Sequence, residues 1–348
     1  MKGRVVVLGE LHGREAAALM LDGRLEDLIL DPGDAVPFAP GAICRAIVDR
    51  QMKGQGGVFV RLPDGAKGFL REAGGLAPGQ GVLVQVSGGA EPGKAVPVTS
   101  RLLFKSRYVI VTPGAPGLNV SRRIRDAELR AGLEALAAVA MAGSAAGLIL
   151  RSACEDAGDE VIVEDITQMR ALCEAVLADL AGPPELLFAA PTPHEEAWRD
   201  WAEPAPDEVA DGPGAMAEHG VEEALEALLD PRVTLPVGAH MLIEPTRALI
   251  AVDVNTGSDG SPASALKANI AAARELPRQL RLRGLGGQIT VDFAPMAKKD
   301  RFTLEQQLRA AFKGEAAETS LAGWTPLGNF ELQRKRDRVP LAAILAEV

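Results

Sequence analysis

The chain has 348 residues, 47% hydrophobic and 24% charged, with a formal net charge of −10. That length allows two or three domains with sizeable cores. No run reaches the roughly 18 apolar residues of a membrane span, and the opening MKGRVVVLGELHGRE is too short in apolar residues for a signal peptide, so a cytoplasmic protein is expected.

In chain order, Val5–Leu8 reads as a short strand. An apolar alternation at Glu26–Leu30 is broken by Asp31-Pro-Gly-Asp34, which suggests a small hairpin and a linker. Residues 38–106 change character. Five short β-rich runs (Ala42–Val48, Gly57–Leu62, Gly68–Leu70, Gly81–Val86, Val96–Ser100) are separated by turn residues such as Pro63-Asp64-Gly65 and Glu91-Pro92-Gly93. They predict a small barrel of the OB type, carrying nine Lys/Arg against four Asp/Glu. Tyr108–Thr112 is a further strand, Asp126–Ala142 a helix stopped at Gly143, Gly147–Leu150 a strand and Ile166–Leu180 a helix. Residues 181–214 read as loops or a linker, and Val221–Leu229 as a short acidic helix. His240–Glu244 and Arg247–Val254 flank Pro245-Thr246 as a hairpin. Ser261-Pro262 starts a helix running to Arg283, with Pro277 expected to kink it. Gln288–Phe293 is a buried strand, Thr303–Lys313 a helix and Phe330–Arg336 a final extended segment.

Charge is unevenly spread. Residues 155–230 hold 21 Asp or Glu and only Arg170 and Arg199, while the rest has 35 basic against 26 acidic residues. A polyanion meets the local field rather than the net charge, so nucleic acid stays open as a partner. Cys44, Cys154 and Cys173 form no CxxC pair, which argues against a disulfide framework and against structural zinc.

The strongest chemical signal is ALIAVDVNTG (248–257) followed by QITVDF (288–293). Asp253 and Asn255 are two apart, so a strand projects both from one face. A carboxylate in an aliphatic run is expensive to bury unpaired, and two such strands place Asp253 and Asp292 as ligands for one Mg²⁺, with Mn²⁺ as a substitute. The alternative is that each aspartate only ends a strand. Arg274, Arg278, Arg281 and Arg283 on the intervening helix, Arg122-Arg123 with Arg125, and Arg334-Lys335-Arg336 with Arg338 are candidate phosphate contacts; solvated faces are the alternative. Phe59 and Phe69, with Lys67 and Lys94, suit base stacking on a barrel, against the alternative that both rings are core. Arg151-Ser152 at a strand end can hold a terminal phosphate. His194, His219 and His240 are scattered and read as structural or surface residues.

AVDVNTG (251–257), RQLRLRGLGGQITVDFAPM (278–296) and NFELQRKR (329–336) resemble the catalytic region of the ribonuclease E/G family. VTPGAPGLNVSRRI (111–124), GLILRS (147–152), GVFVRLPDGAKGFL (57–70) and GKAVPVTSRLLFKSRYVIV (93–111) resemble the same family in the same order. The resemblance implies a multidomain α/β (α+β) fold. An RNase H-like subdomain is split into two stretches, residues 1–36 and the acidic residues 184–234. Between them lie an OB-fold RNA-binding insert (37–106) and a 5′-sensor region (107–183), and a DNase I-like catalytic subdomain follows (235–348). The resemblance also implies Mg²⁺-dependent cleavage of internal single-stranded RNA leaving a 5′-phosphate and a 3′-hydroxyl. Asp253 and Asp292 match the metal-binding aspartates, and Asn255 the asparagine that orients a carboxylate and contacts the scissile phosphate. Phe59, Phe69 and Lys94 match RNA contacts. Arg151 and Ser152 match the 5′-monophosphate pocket, where Arg-Thr is usual. Thr319 stands near where the family often offers an extra arginine, and the family's CxxC zinc link has no counterpart. No structural zinc and no zinc-linked oligomer are therefore expected, but a monomer or weak dimer. The competing expectation is a catalytically inactive RNA-binding relative.

Overall fold

The computed structural model describes residues 3–52, 56–71, 74–90 and 93–346. Strands β1 (Arg4–Leu11), β2 (Arg14–Leu21) and β3 (Arg24–Leu30) form an antiparallel meander. Its turns, His12-Gly13 and Asp22-Gly23, hold all four residues at positive φ, the primed geometry that matches strand twist. The sequence reading placed two strands here. REAAALML lacks β-branched residues and carries no strand signal of its own; burial on both faces makes it the central strand.

The expected barrel is present. β4 (Ile43–Met52), β5 (Gly57–Arg61) and β6 (Lys67–Leu70) are antiparallel. β7 (Gly81–Val86) and β8 (Val96–Thr99) close it, with β8 parallel to β6 and β7 paired to β4. Alternate residues, among them Val58, Val60, Leu70, Val84 and Val98, fill its interior. Glu91 and Pro92 of the expected turn lie outside the described residues.

A third sheet holds β9 (Phe104–Lys105), β10 (Val109–Thr112), β11 (Leu118–Val120) and β12 (Gly147–Leu150), with β11 parallel to β12. Helices α1 (Ala127–Ala140) and α2 (Asp159–Ala178) share its core. Burial pushes the thiols of Cys44, Cys154 and Cys173 up to about 11, 12 and 11, so all three behave as apolar filler.

Residues 181–214 are more ordered than expected. β13 (Glu185–Phe188) extends the barrel from β4, and α3 (Pro193–Trp201) packs on β2. β14 (Glu208–Ala210) joins β1 in parallel. The overlooked signal was Thr192-Pro-His-Glu195, a capping box that starts α3. α4 (Ala215–Glu218) and α5 (Val221–Leu229) follow, covering the other face of the first sheet.

The last sheet comprises β15 (Arg232–Thr234), β16 (His240–Pro245), β17 (Ile250–Asn255), β18 (Gly287–Asp292), β19 (Thr319–Trp324) and β20 (Phe330–Arg334), in the order β15-β16-β17-β18-β20-β19. α6 (Pro262–Leu282) crosses over between the parallel β17 and β18, and α7 (Arg301–Phe312) packs beside it; α8 (Leu341–Leu345) closes the chain. Ser261 caps α6 as expected, accepting a bond from the Ser264 amide. The helix continues through Pro277, which is buried. No helix among the described residues is long and apolar enough to cross a membrane.

Candidate active site

Sheet periodicity builds the site. Val252, Val254, Ile289, Val291, Phe330 and Leu332 face α6 and α7 and are buried. Successive side chains alternate faces, so Asp253, Asn255 and Asp292 stand on the uncovered side. Asp253 and Asp292 are register partners on neighbouring parallel strands, whose axes run about 4.8 Å apart. Both are exposed. Asn255 Nδ2 donates to Asp253 Oδ2 at 2.8 Å, fixing that carboxylate's orientation. Thr290 shares the face, with Glu331 opposite it on β20. The aspartates end two parallel strands, the place where α/β sheets bind ligands.

Two structural devices hold this end of the sheet. Asn269 on α6 is fully buried; its Nδ2 donates to the Ala294 carbonyl (2.9 Å) and its Oδ1 accepts from the Ala294 amide (3.0 Å). This anchors the chain two residues beyond Asp292. Gly257, at φ 74°, lies so close to the Gly238 carbonyl that a Cβ would approach to 2.5 Å, which fixes the exit from β17. Sequence reasoning singled out neither. His240, read as structural or surface, is the half-buried register partner of Asn255 on the uncovered face.

The donor set suits a hard divalent cation. Two adjacent carboxylates repel, and among the described residues neither has a Lys or Arg partner within salt-bridge distance. Mg²⁺ typically takes one or two protein carboxylates and keeps waters for the remaining positions. No group of three or more His, Cys, Asp or Glu that could hold an ion occurs among the described residues.

The expectation for the α6 arginines is corrected for Arg278, Arg281 and Arg283, while Arg274 is exposed. Arg274 Nε donates to Gln307, Arg278 to Glu275 and the Leu25 carbonyl, Arg281 to Glu26 and Glu315, and Arg283 to Gln279 and the Asp230 carbonyl. The apolar stripe of α6 faces the sheet from the side opposite the aspartates, so its polar face meets β3 and α7 instead. Arg334 and Arg338 are likewise internal, paired with Glu315 and Asp27. Lys335 and Arg336 are exposed, and with Arg71, Lys94, Arg101 and an edge of Arg334 they line a groove of about 610 Å³ between barrel and sheet, which includes Phe69, Gly287 and Gln333. From Gly287, β18 runs about 16 Å to Asp292.

Phe59 and Phe69 are a register pair on the outer face of β5 and β6, half-buried, with ring centroids 5.4 Å apart. They line a depression with Lys67, Lys94 and Asp49, not the barrel core. Single-strand binders stack bases on such rings beside cations. Phe59→Ala or Phe69→Ala is expected to weaken binding of a labelled single-stranded RNA by roughly 5- to 150-fold, the loss of one stacked base. Unchanged anisotropy titrations for both variants would remove the barrel from the binding surface.

At the third sheet, β11 and β12 end side by side. Arg122, Arg123 and Arg125 are exposed on the loop after β11, which Arg130 Nη1 pins through the Ser121 (2.8 Å) and Ile124 (3.1 Å) carbonyls. Arg151 and Ser152 follow β12 and are half-buried. The Arg151 guanidinium points towards α3, donating to the Ser106 and Arg199 carbonyls and to Asp200.

A closed five-stranded barrel joined to an α/β sheet whose uncovered face carries paired aspartates defines a multidomain protein of the mixed α/β class. The Ribonuclease E/G family model matches residues 104–215 and 206–337, and the chain belongs to that family. It is 31% identical to Ribonuclease E of Synechocystis sp., over 95% of this chain and 56% of that protein. It is 28% identical to Ribonuclease G of Haemophilus influenzae and 27% to that of Escherichia coli, in each case over 77% of this chain and 62% of the relative. The chain thus spans a little over half the length of the curated relatives it matches.

Proposed function

We propose that this chain is an endoribonuclease that hydrolyses phosphodiester bonds in single-stranded RNA, in RNA processing or decay, with Mg²⁺ held by Asp253 and Asp292. The observation that carries the reading is the side-by-side register of two exposed carboxylates on an open sheet face, without a basic partner among the described residues. Mg²⁺ bound there supplies Lewis-acid polarisation of the phosphate and a water of lowered pKa. Asp253 and Asp292 fix the ion's place; Asn255 holds the Asp253 carboxylate and presents its own amide to the scissile phosphate. Phe59, Phe69 and Lys94 grip the strand, and the groove of Lys335, Arg336, Arg71 and Arg101 leads its backbone towards β18. Water attack on phosphorus with departure of the 3′ oxygen leaves a 5′-phosphate and a 3′-hydroxyl. Arg122 and Arg123 lend charge beside the Arg151 and Ser152 pocket for a 5′ end.

In this reading the first sheet with α3 to α5 (1–36 and 184–234) is an RNase H-like subdomain split by the barrel (37–106) and sensor (107–183). Residues 235–348 are DNase I-like. A fluorogenic single-stranded RNA should be cut with Mg²⁺ or Mn²⁺ and left whole with chelator. Binding without metal-dependent cutting would instead identify an inactive RNA-binding relative.

A further inference from the structure

We propose that Asp200 is a specificity-determining residue. Its carboxylate occupies the Arg151 guanidinium where a terminal 5′-phosphate would bind, and so makes cleavage indifferent to the phosphorylation state of the RNA 5′ end. The inference rests on the reading of Arg151 and Ser152 as a 5′-phosphate pocket.

The contacts define the competition. Arg151 Nη1 donates to the Ser106 carbonyl at 2.5 Å and to the Arg199 carbonyl at 3.1 Å, while Nη2 donates to Asp200 Oδ1 at 2.6 Å. The two carbonyls are fixed backbone and seat the guanidinium; the one anion it meets among the described residues is Asp200. The other oxygen of Asp200 is held by Arg199, from Nε at 3.1 Å and Nη2 at 2.6 Å. A carboxylate bridging two guanidiniums offers them what a phosphate offers, oxygens that each accept from a fork of N–H groups. Arg151 and Asp200 are 24% and 34% exposed at the side chain, so solvent screens them less than it would a surface pair. Burial alone would raise the Asp200 carboxyl, but hydrogen bonds and charge from Arg199 and Arg151 hold it below the usual carboxylate range. It therefore remains an anion at neutral pH.

Further charges stand around the pair. Burial, then the nearby charges of Arg199, Arg151 and Lys335, push the Lys105 amine down, against an opposing effect of Asp200. Of the nearby carboxylates, Glu196 pairs with Arg199 at 3.3 Å and Asp165 acts on Arg151 only through its charge, so Asp200 is the carboxylate that Arg151 itself hydrogen-bonds. A tethered carboxylate competes at an effective concentration no dilute RNA end reaches. Asp200 comes from α3, within the acidic stretch of residues 155–230.

The test uses two single-stranded RNAs, identical except for a 5′-monophosphate or a 5′-hydroxyl, with the full chain and Mg²⁺. Wild type should cut both within about twofold of each other. Asp200→Asn keeps the side-chain shape and leaves the Ser106 and Arg199 carbonyl bonds to Arg151. It should raise the monophosphate-to-hydroxyl rate ratio roughly tenfold, the size expected for one charge-assisted hydrogen bond. Adding Arg151→Gln to it should return the ratio to about one. Anisotropy of the same RNAs, labelled at the 3′ end, gives a readout that needs no cutting. If wild type binds but cuts neither RNA while Asp200→Asn shifts the binding ratio, the cleavage proposal fails and this one stands. A wild-type preference of tenfold for the monophosphate, or an unchanged ratio in folded Asp200→Asn, overturns it. Should Asp200→Asn not fold, Asp200→Ser is read by the same criteria; if neither variant folds, Asp200 is a structural strut and the proposal is rejected.

Discussion

Asp253→Asn and Asp292→Asn are each expected to reduce cleavage of single-stranded RNA by at least the roughly hundred- to thousand-fold that loss of one preorganised transition-state contact costs. RNA binding should stay within about twofold of wild type, because the barrel's rings and cations lie away from these strands. The substitutions are nearly isosteric and both side chains are exposed, so the sheet should be undisturbed. In metal-free protein the variants should be as stable as wild type or slightly more so, by a few tenths of a kcal/mol, since like charges directly opposite on adjacent strands destabilise. Added Mg²⁺ should raise the melting temperature of wild type, as any ligand of the native state does, and have little effect on either variant. Single-turnover kinetics and a melting series with and without Mg²⁺ check all three points. Cleavage at the wild-type rate in either variant would dissociate the paired carboxylates from the chemistry.

Glu315→Ala is expected to cost about 3–5 kcal/mol of stability, the penalty for stranding a buried charge. Glu315 pairs with Arg334 at 2.8 Å and with Arg281; the Glu315 and Arg334 side chains are 7% and 2% exposed. The Arg334 Nη1 already lacks a partner among the described residues, so losing the carboxylate leaves the guanidinium almost without compensation. Glu315 thereby ties β20 to α6, and Arg281 carries the link on to Glu26 of the first sheet. The denaturant midpoint should fall accordingly. Glu315→Ala combined with Arg334→Met should recover some of the loss, because an apolar pair no longer strands a charge. A Glu315→Ala stability within about 0.5 kcal/mol of wild type, the range of an ordinary surface substitution, would show the network to be dispensable.

Much of the architecture is legible in the order of residues. Five period-2 segments divided by Pro, Gly and Asp specify the barrel, since alternating apolar residues and rigid turns leave few other arrangements. Ser261-Pro262 marks the start of α6, and the DxN spacing places Asp253 and Asn255 on one face of a strand whatever its neighbours. The middle strand Arg14–Leu21 is not legible, because its alanines and leucines have no local preference for a strand; two flanking turns and a covering helix impose it. The barrel's Phe59 and Phe69 are ambiguous between core and surface until register puts them outside.

By itself, then, the order of residues determined the elements, their periodicity and the chemical types at the strand ends, because these depend on local backbone preference and side-chain alternation. Only the tertiary structure decided which charges meet. It set Asp253 against Asp292 through strand register, turned Arg278 and Arg281 of α6 towards Glu26 and Glu315, pinned Ala294 with Asn269, and brought Asp200 from 49 residues away onto Arg151. Charge pairing depends on distances between segments remote in sequence, and no local spacing encodes those.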